Sequence, residues 1–314
     1  MLSQIKTAAL AGFRSALKTA WWMIRLTVII SLAVTLLQHF GVIPLISSWF
    51  TPVFKLVGLD GRAALVFITG ALVNIYAAIA TIVSMGFDSR SITILALMCL
   101  CAHNLIIETA IQKKTGSPAI RMVVVRIATA LTSAFILNAV LPPAHENYIA
   151  NAVGFAPFPN IADTLAFWAL STLMLVVKMF CIIVSLTVAQ RILSDLGAIR
   201  WISTLLHPLM ALFGLPRPTS FLWIVTQTLG LAYGAAVMIE ERESGRVTKQ
   251  EADLLNHHVA VSHSNVEDLL LFFSIGASLF WMLFLRIILT IPVVWERRLE
   301  IWIHSKQNLT KVKI

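Results

Sequence analysis

Two sets of ionisable residues recur at one spacing. His103, Glu108, Gly116 and Arg126 stand at the same intervals as His263, Asp268, Gly276 and Arg286, so the pattern H-x4-[E/D]-x7-G-x9-R occurs twice. All eight lie in or beside apolar stretches. There an imidazole and a carboxylate can pass a proton or hydrogen-bond a solute, while an arginine costs ~2.5–3.5 kcal/mol to insert at mid-helix and needs a partner. Glu108 with Arg126, and Asp268 with Arg286, therefore read as two charge pairs or as members of a relay. Small polar residues surround the histidines in Cys101-Ala-His-Asn104 and Ser262-His-Ser-Asn265. His103, Asn104, His263 and Asn265 are thus candidate solute contacts, with Asn74, Tyr76, Gln227 and Tyr233 on preceding segments available to complete a polar cavity.

A metal could draw on Cys99, Cys101 and His103 in the first set, or on His257, His258, His263 and Glu267 in the second. Neither spacing matches a closed metal site. No resident cofactor is expected, and a divalent metal enters as a candidate substrate. His257 and His258 also suit a plainer role, solvating the polar end of their segment, because Leu97 and Met98 occupy the matching places in the first set. No nucleotide-binding loop, catalytic triad or zinc-hydrolase motif occurs, so no catalytic residue is assigned and the chain does not read as an enzyme.

The elements that must position these residues are membrane helices. With 58% of 314 residues apolar, 12% charged and a mean hydropathy of +0.86, the chain has more apolar surface than a soluble core of this size can bury. Apolar stretches at 21–40, 63–84, 91–111, 119–141, 164–192, 220–239 and 269–295 each approach the ~20 residues that cross ~30 Å of hydrocarbon as a helix. Only helices satisfy open-ended backbone in lipid, so the expected fold class is all-α. The first stretch follows Lys6, Arg14 and Lys18 but is long and lacks a small-x-small cleavage pattern, which favours a retained helix.

The duplication extends beyond the ionisable residues. Gly41, Ile43, Ile46 and Ser47 match Gly197, Ile199, Ile202 and Ser203, and Pro52, Leu56, Gly58 and Leu59 match Pro208, Leu212, Gly214 and Leu215. Counting spans within each copy gives an odd number, so two inverted repeats are expected, each of about three spanning helices plus a re-entrant helical hairpin. The hairpin is placed at 91–111, with His103 near its tip, because Arg90 and the Lys113, Lys114, Arg121 cluster bound both ends. The units are then a basic N-terminus over 1–20, repeat 1 over 21–145, an outward loop over 146–163, repeat 2 over 164–295 and a basic tail over 296–314. Residues 42–57 and 198–213 are expected as short helices lying at the interface.

The net charge of +9 arises largely at the two ends, with no acidic residue before Asp60 and with Arg297, Arg298, Lys306, Lys311 and Lys313 near the end. The positive-inside rule accounts for this as cytoplasmic termini, and nucleic-acid binding is not expected. Cys99, Cys101 and Cys181 all lie in apolar segments and suggest no disulfide framework.

The segments Ala102-His-Asn-Leu-Ile-Ile-Glu108 and Asn256-His-His-Val-Ala-Val-Ser-His263-Ser-Asn-Val-Glu-Asp268, each followed by Gly116 or Gly276, resemble the nucleoside-recognition, or Gate, domain. That family is similar to the membrane core of ferrous iron transporter B, to part of the concentrative nucleoside transporters and to spore maturation proteins A and B. The resemblance covers about 21–295 as two copies and implies inverted hairpin repeats around a central site in a prokaryotic inner membrane. The expected function is movement of a small solute, whether nucleoside-like, an organic anion or a divalent metal, by alternating access of the repeats. The alternative is a membrane scaffold or assembly protein of the same fold that moves nothing. The expected partners are the lipid bilayer and the solute, with room for a homo-oligomer.

Overall fold

Every regular element described is helical. The computed structural model describes residues 2–143 and 159–311, so the outward loop expected from residue 146, with His145 and Glu146 at its start, lies outside the described residues as far as 158. The first copy comprises α1 (Leu2–His39), α2 (Val42–Lys55), α3 (Ala63–Leu72), α4 (Ile75–Met85), α5 (Ser89–Ala102), α6 (Leu105–Thr115) and α7 (Ala119–Val140). The second comprises α8 (Ile161–Asp195), α9 (Ala198–Leu205), α10 (His207–Leu212), α11 (Ser220–Glu243), α12 (Lys249–Val261), α13 (Glu267–Phe273) and α14 (Leu279–Lys311). Among the described residues, five helical segments are long and apolar enough to cross a membrane: Gln4–His39, Ser89–Thr115, Ala119–Val140, Ile161–Asp195 and Leu279–Gln307. Large apolar side chains remain exposed on the outer helices, including Trp49, Ile120 and Trp201, as expected where lipid is the solvent.

The helices begin and end where the residue types dictate. Gly41 and Gly197 both adopt left-handed conformation (φ 72° and 71°) to turn the chain from α1 into α2 and from α8 into α9. Asp88 caps α5 by accepting from the Ser91 N–H, and Thr248, at the matching place, caps α12 by accepting from the Glu251 N–H. In the second case Glu251 also reaches back to the Thr248 N–H and completes a capping box.

The structure exchanges the expected hairpin and span. The stretch 63–84 is no continuous crossing: it breaks at Val73 and Asn74, and α3 packs back against α4. Ten or eleven residues per arm cover about 15 Å, roughly half the hydrocarbon thickness. The 220–239 stretch folds in the same way. Gly230 has φ 81° and ψ 170°, and a side chain on Gly234 would run into Thr226, a contact that a straight helix forbids because residues eight apart lie about 12 Å apart along its axis. Conversely, 89–115 is not a hairpin. α5 and α6 do not pack along each other, α7 runs against both, and the two form one interrupted span broken at His103 and Asn104. Hydropathy alone cannot separate these cases, since both segments are apolar and of crossing length.

α1 and α8 pair along most of their length and run antiparallel. Gly12 sits against Arg191, Thr27 Oγ1 donates to Met179 Sδ, Ser31 meets Thr172, and His39 Nδ1 meets Thr164 Oγ1 at 3.1 Å. Within this frame α5 is apolar all round and buried: every side chain from Ile94 to Ala102 is at most 1% exposed. α5 and its counterpart α12 form the centre of the molecule, flanked by α7 and α14. The helix α14 continues well past Trp295, and α1 begins at Leu2, so the two basic ends are extensions of spanning helices.

Candidate functional site

The two interrupted helices break where they face each other. Asn104 and Ser264 are the non-glycine residues with left-handed backbone (φ 48° and 49°) among those described, and each follows a histidine. Asparagine tolerates this conformation, whereas serine in it costs energy that the surroundings must hold. Each break is tied to its own hairpin: the Asn104 N–H donates to the Gly70 carbonyl at 2.9 Å, and the Ser264 N–H to the Thr226 carbonyl at 3.0 Å. The same backbone bond is thus made in both copies.

Breaking a helix leaves C-terminal carbonyls unpaired in a dry interior. The buried arginines meet this need. Arg126 donates from Nε to the Cys101 carbonyl (2.9 Å) and from Nη2 to the His103 carbonyl (2.5 Å). Arg286 donates likewise to the carbonyls of Val261 (3.1 Å) and His263 (2.6 Å). A cation there also opposes the negative end of each half-helix. The recurrent arginine is therefore first a clamp on a helix break.

The carboxylates treat the arginines differently. Glu108 Oε2 lies 2.8 Å from Arg126 Nη2, an ion pair in which both side chains are buried. The second expected charge pair does not form: no Asp268 oxygen comes within ion-pair distance of Arg286. Aspartate is one methylene shorter than glutamate at the matching position, and its Oδ2 lies 3.9 Å from His103 Nε2 instead. His103 Nε2 is 3.1 Å and His263 Nε2 3.4 Å from Glu108 Oε1, and the two imidazole centroids are 5.1 Å apart. Both histidines and both carboxylates thus meet at one point between the copies.

A cavity of about 610 Å³ opens onto this point. Its polar lining includes His103, Asn104, Glu108, His263, Glu267 and Asp268, and its apolar wall includes Trp22 and Met23 of α1 with Leu72 and Ile107. Asn74 lines it at the first hairpin tip and caps α4 by accepting from the Ala77 N–H. Tyr76 donates to Glu267 Oε1 at 2.6 Å. Gln227 and Asn265 are not among the residues that line the cavity: Gln227 donates to the Ser262 carbonyl and accepts from Asn265, which also donates to Ser262 Oγ. Tyr233 is half exposed and lies in another pocket, beside Ile199 and Phe221.

The four residues grouped for a metal do not converge. His257 lies beside Asp253 and accepts from Arg121 Nε at 2.7 Å, in a network with Arg297, Glu296 and Glu300. His258 accepts from Trp223 Nε1 and packs on Phe213. Glu267 is held by Tyr76, and only His263 reaches the centre. Among the described residues, the group of three or more metal-capable side chains that does converge is His103, His263 and Asp268. Cys99 and Cys101 are buried in α5. The reading of the sequence missed the role of the Gly70 and Thr226 carbonyls. The signal was present, because the offset of 156 that aligns Gly58 with Gly214 also aligns Gly70 with Thr226 and Asn74 with Gly230.

The model of the Gate family, described as nucleoside recognition, matches residues 20–142 and again 176–294. The chain belongs to the Gate family. The double match coincides with the two copies seen in the structure, and each matched segment contains one hairpin, one interrupted helix and one arginine clamp. An uncharacterized membrane protein of Bacillus subtilis, YvoD, is 33% identical over 290 residues, which cover 90% of this chain and 91% of that protein. No solved structure matches the chain. As a Gate protein with five helices of crossing length among its described residues, the chain is an integral membrane protein of all-α class.

Proposed function

We propose that this Gate protein is a transporter that moves a small solute through a prokaryotic inner membrane by alternating access of two inverted copies. The observation that carries the reading is the meeting of two helix breaks, one from each copy, with His103, Glu108, His263 and Asp268 buried at the junction and a cavity leading to them. Interrupted helices whose free backbone lines a polar site are the form in which spanning helices bind solutes within lipid. Inversion is supported by the antiparallel pairing of α1 with α8, the matching first helices of the copies. Both termini are assigned to the cytoplasm from their positive charge. No enzymatic role is proposed, and the energy source is an ion gradient or a partner protein.

The test is flux into proteoliposomes loaded with the purified protein, using uridine, citrate and Mn²⁺ as representatives of the three solute classes. Uptake of one class above protein-free vesicles, lost in His103→Ala and His263→Ala, is expected. A protein that binds one of the three in detergent yet passes none in either direction would instead act as a membrane scaffold or receptor.

A further inference from the structure

The hydrogen bonds of the two central histidines fix the chemistry of the point where they meet. His103 Nδ1 lies 2.9 Å from the Cys99 carbonyl oxygen, and His263 Nδ1 lies 2.6 Å from that of Val259. A carbonyl only accepts, so in each ring Nδ1 carries the hydrogen and the neutral imidazole keeps a lone pair on Nε2. Both Nε2 atoms face carboxylate oxygens, His103 towards Glu108 and Asp268, His263 towards Glu108. Carboxylates also only accept. With both imidazoles neutral and both carboxyls ionised, four lone-pair donors converge in one buried place.

The neighbouring cations relieve this only at Glu108 Oε2, which Arg126 Nη2 meets at 2.8 Å. Arg126 and Arg286 spend Nε and Nη2 on backbone carbonyls, and the buried atoms His263 Nε2 and Asp268 Oδ2 receive no hydrogen bond from any described residue. A single divalent ion satisfies all four lone pairs.

We propose that His103 Nε2, His263 Nε2 and the Asp268 carboxylate, with Glu108 Oε1 as a fourth donor, form a binding site for a divalent transition-metal cation. The three principal ligand atoms lie within 4.8 Å of one another. A tetrahedral ion bound at about 2.1 Å sets its ligands roughly 3.4 Å apart, a contraction that side-chain rotation supplies. Two imidazoles with two carboxylates suit a borderline ion such as Zn²⁺, Mn²⁺ or Co²⁺, since hard Mg²⁺ and Ca²⁺ prefer all-oxygen shells and Cu(I) prefers sulfur. Donation of Nδ1–H to a backbone carbonyl is the outer bond that orients metal-binding histidines. The ligands come from both copies, so binding joins the two helix breaks. This deepens the transport reading and rests on it for one point, that the ion is cargo.

Binding is tested on the full chain in detergent, by calorimetry with Zn²⁺ and by the visible absorption of Co²⁺. One ion per chain with a tetrahedral Co²⁺ spectrum is expected. Asp268→Asn and His263→Gln keep side-chain volume and should each weaken Zn²⁺ at least ~100-fold, beyond the loss typical of an outer-shell change. His257→Gln, away from the junction, should leave the affinity within about threefold. Absent stoichiometric Zn²⁺ and Co²⁺ binding, or binding unchanged in Asp268→Asn and His263→Gln, overturns the site. Zn²⁺ flux into proteoliposomes separates the two claims: tight binding without flux refutes transport and leaves the site standing, whereas flux of another solute without Zn²⁺ binding refutes the site alone.

Discussion

The two copies hold the same arginine clamp but spend their carboxylates differently. In the first, Glu108 reaches Arg126 at 2.8 Å and closes a buried ion pair. In the second, Asp268 is one methylene too short to reach its arginine and is left facing His103 across the junction. Both arginines bind the carbonyls of their own helix break, so the clamp survives without the ion pair. One carboxylate is thus shared between its arginine and the junction, and the other faces the junction alone. Duplication supplied two equal frames, and a single side-chain length separates a carboxylate anchored by its arginine from one that is not.

If that contrast is right, removing the arginines should have unequal effects. Arg126→Met strands Glu108 as a buried, uncompensated charge, and breaking such a pair costs about 3–5 kcal/mol. Arg286→Met loses charge-assisted bonds to two carbonyls, about 1.5–3 kcal/mol. Denaturant unfolding in detergent reads both, and equal losses would erase the distinction between the copies. The carboxylates sharpen the same point: Glu108→Gln should destabilise by about 1–3 kcal/mol, while Asp268→Asn should leave stability unchanged or raise it.

The hairpin tips differ in a second way. Asn74 turns the first with extended backbone and a side-chain cap, while Gly230 turns the second in a region essentially reserved for glycine. Gly230→Ala should cost about 1–3 kcal/mol, and its new methyl would press on Ser264 Oγ at 3.1 Å, loosening the second break alone. Melting temperature together with the accessibility of a label near Ser264 would report this. The smallest contrast is a predicted equality. Asp88→Ala and Thr248→Ala remove matching caps and should each cost about 1 kcal/mol by the same unfolding assay.

Much of the site was legible because its residues are rare in lipid. The paired spacing of His103, Glu108 and Arg126 with His263, Asp268 and Arg286 stands out against apolar filler, and the structure brings both histidines and both carboxylates to one point. The arginine partners were less legible, because spacing suggests carboxylates while the bonds go mainly to backbone carbonyls that exist only once a helix is broken. The hairpins were misplaced for a related reason. Residues 63–84 carry Asn74 as their one strongly polar side chain, so their hydropathy matches that of a full crossing, and the decisive features are small residues, Gly70 against Ala78 and Gly234 against Thr226, that let two short arms approach. The metal grouping failed because His257 and His258 sit earlier on α12, where Arg121 and Trp223 engage them.

Access to the junction from both sides of the membrane is the claim on which the transport reading depends. Ile107 lines the cavity and is 58% exposed. Ile107→Cys can be made with Cys181→Ser, since Cys99 and Cys101 are buried. Sealed proteoliposomes of known orientation would then be treated with a membrane-impermeant maleimide applied outside or trapped inside. The account predicts labelling from either side, with the balance shifted when Zn²⁺ is added. Labelling from one side alone, at every ion concentration, would contradict alternating access and return the protein to a fixed membrane scaffold.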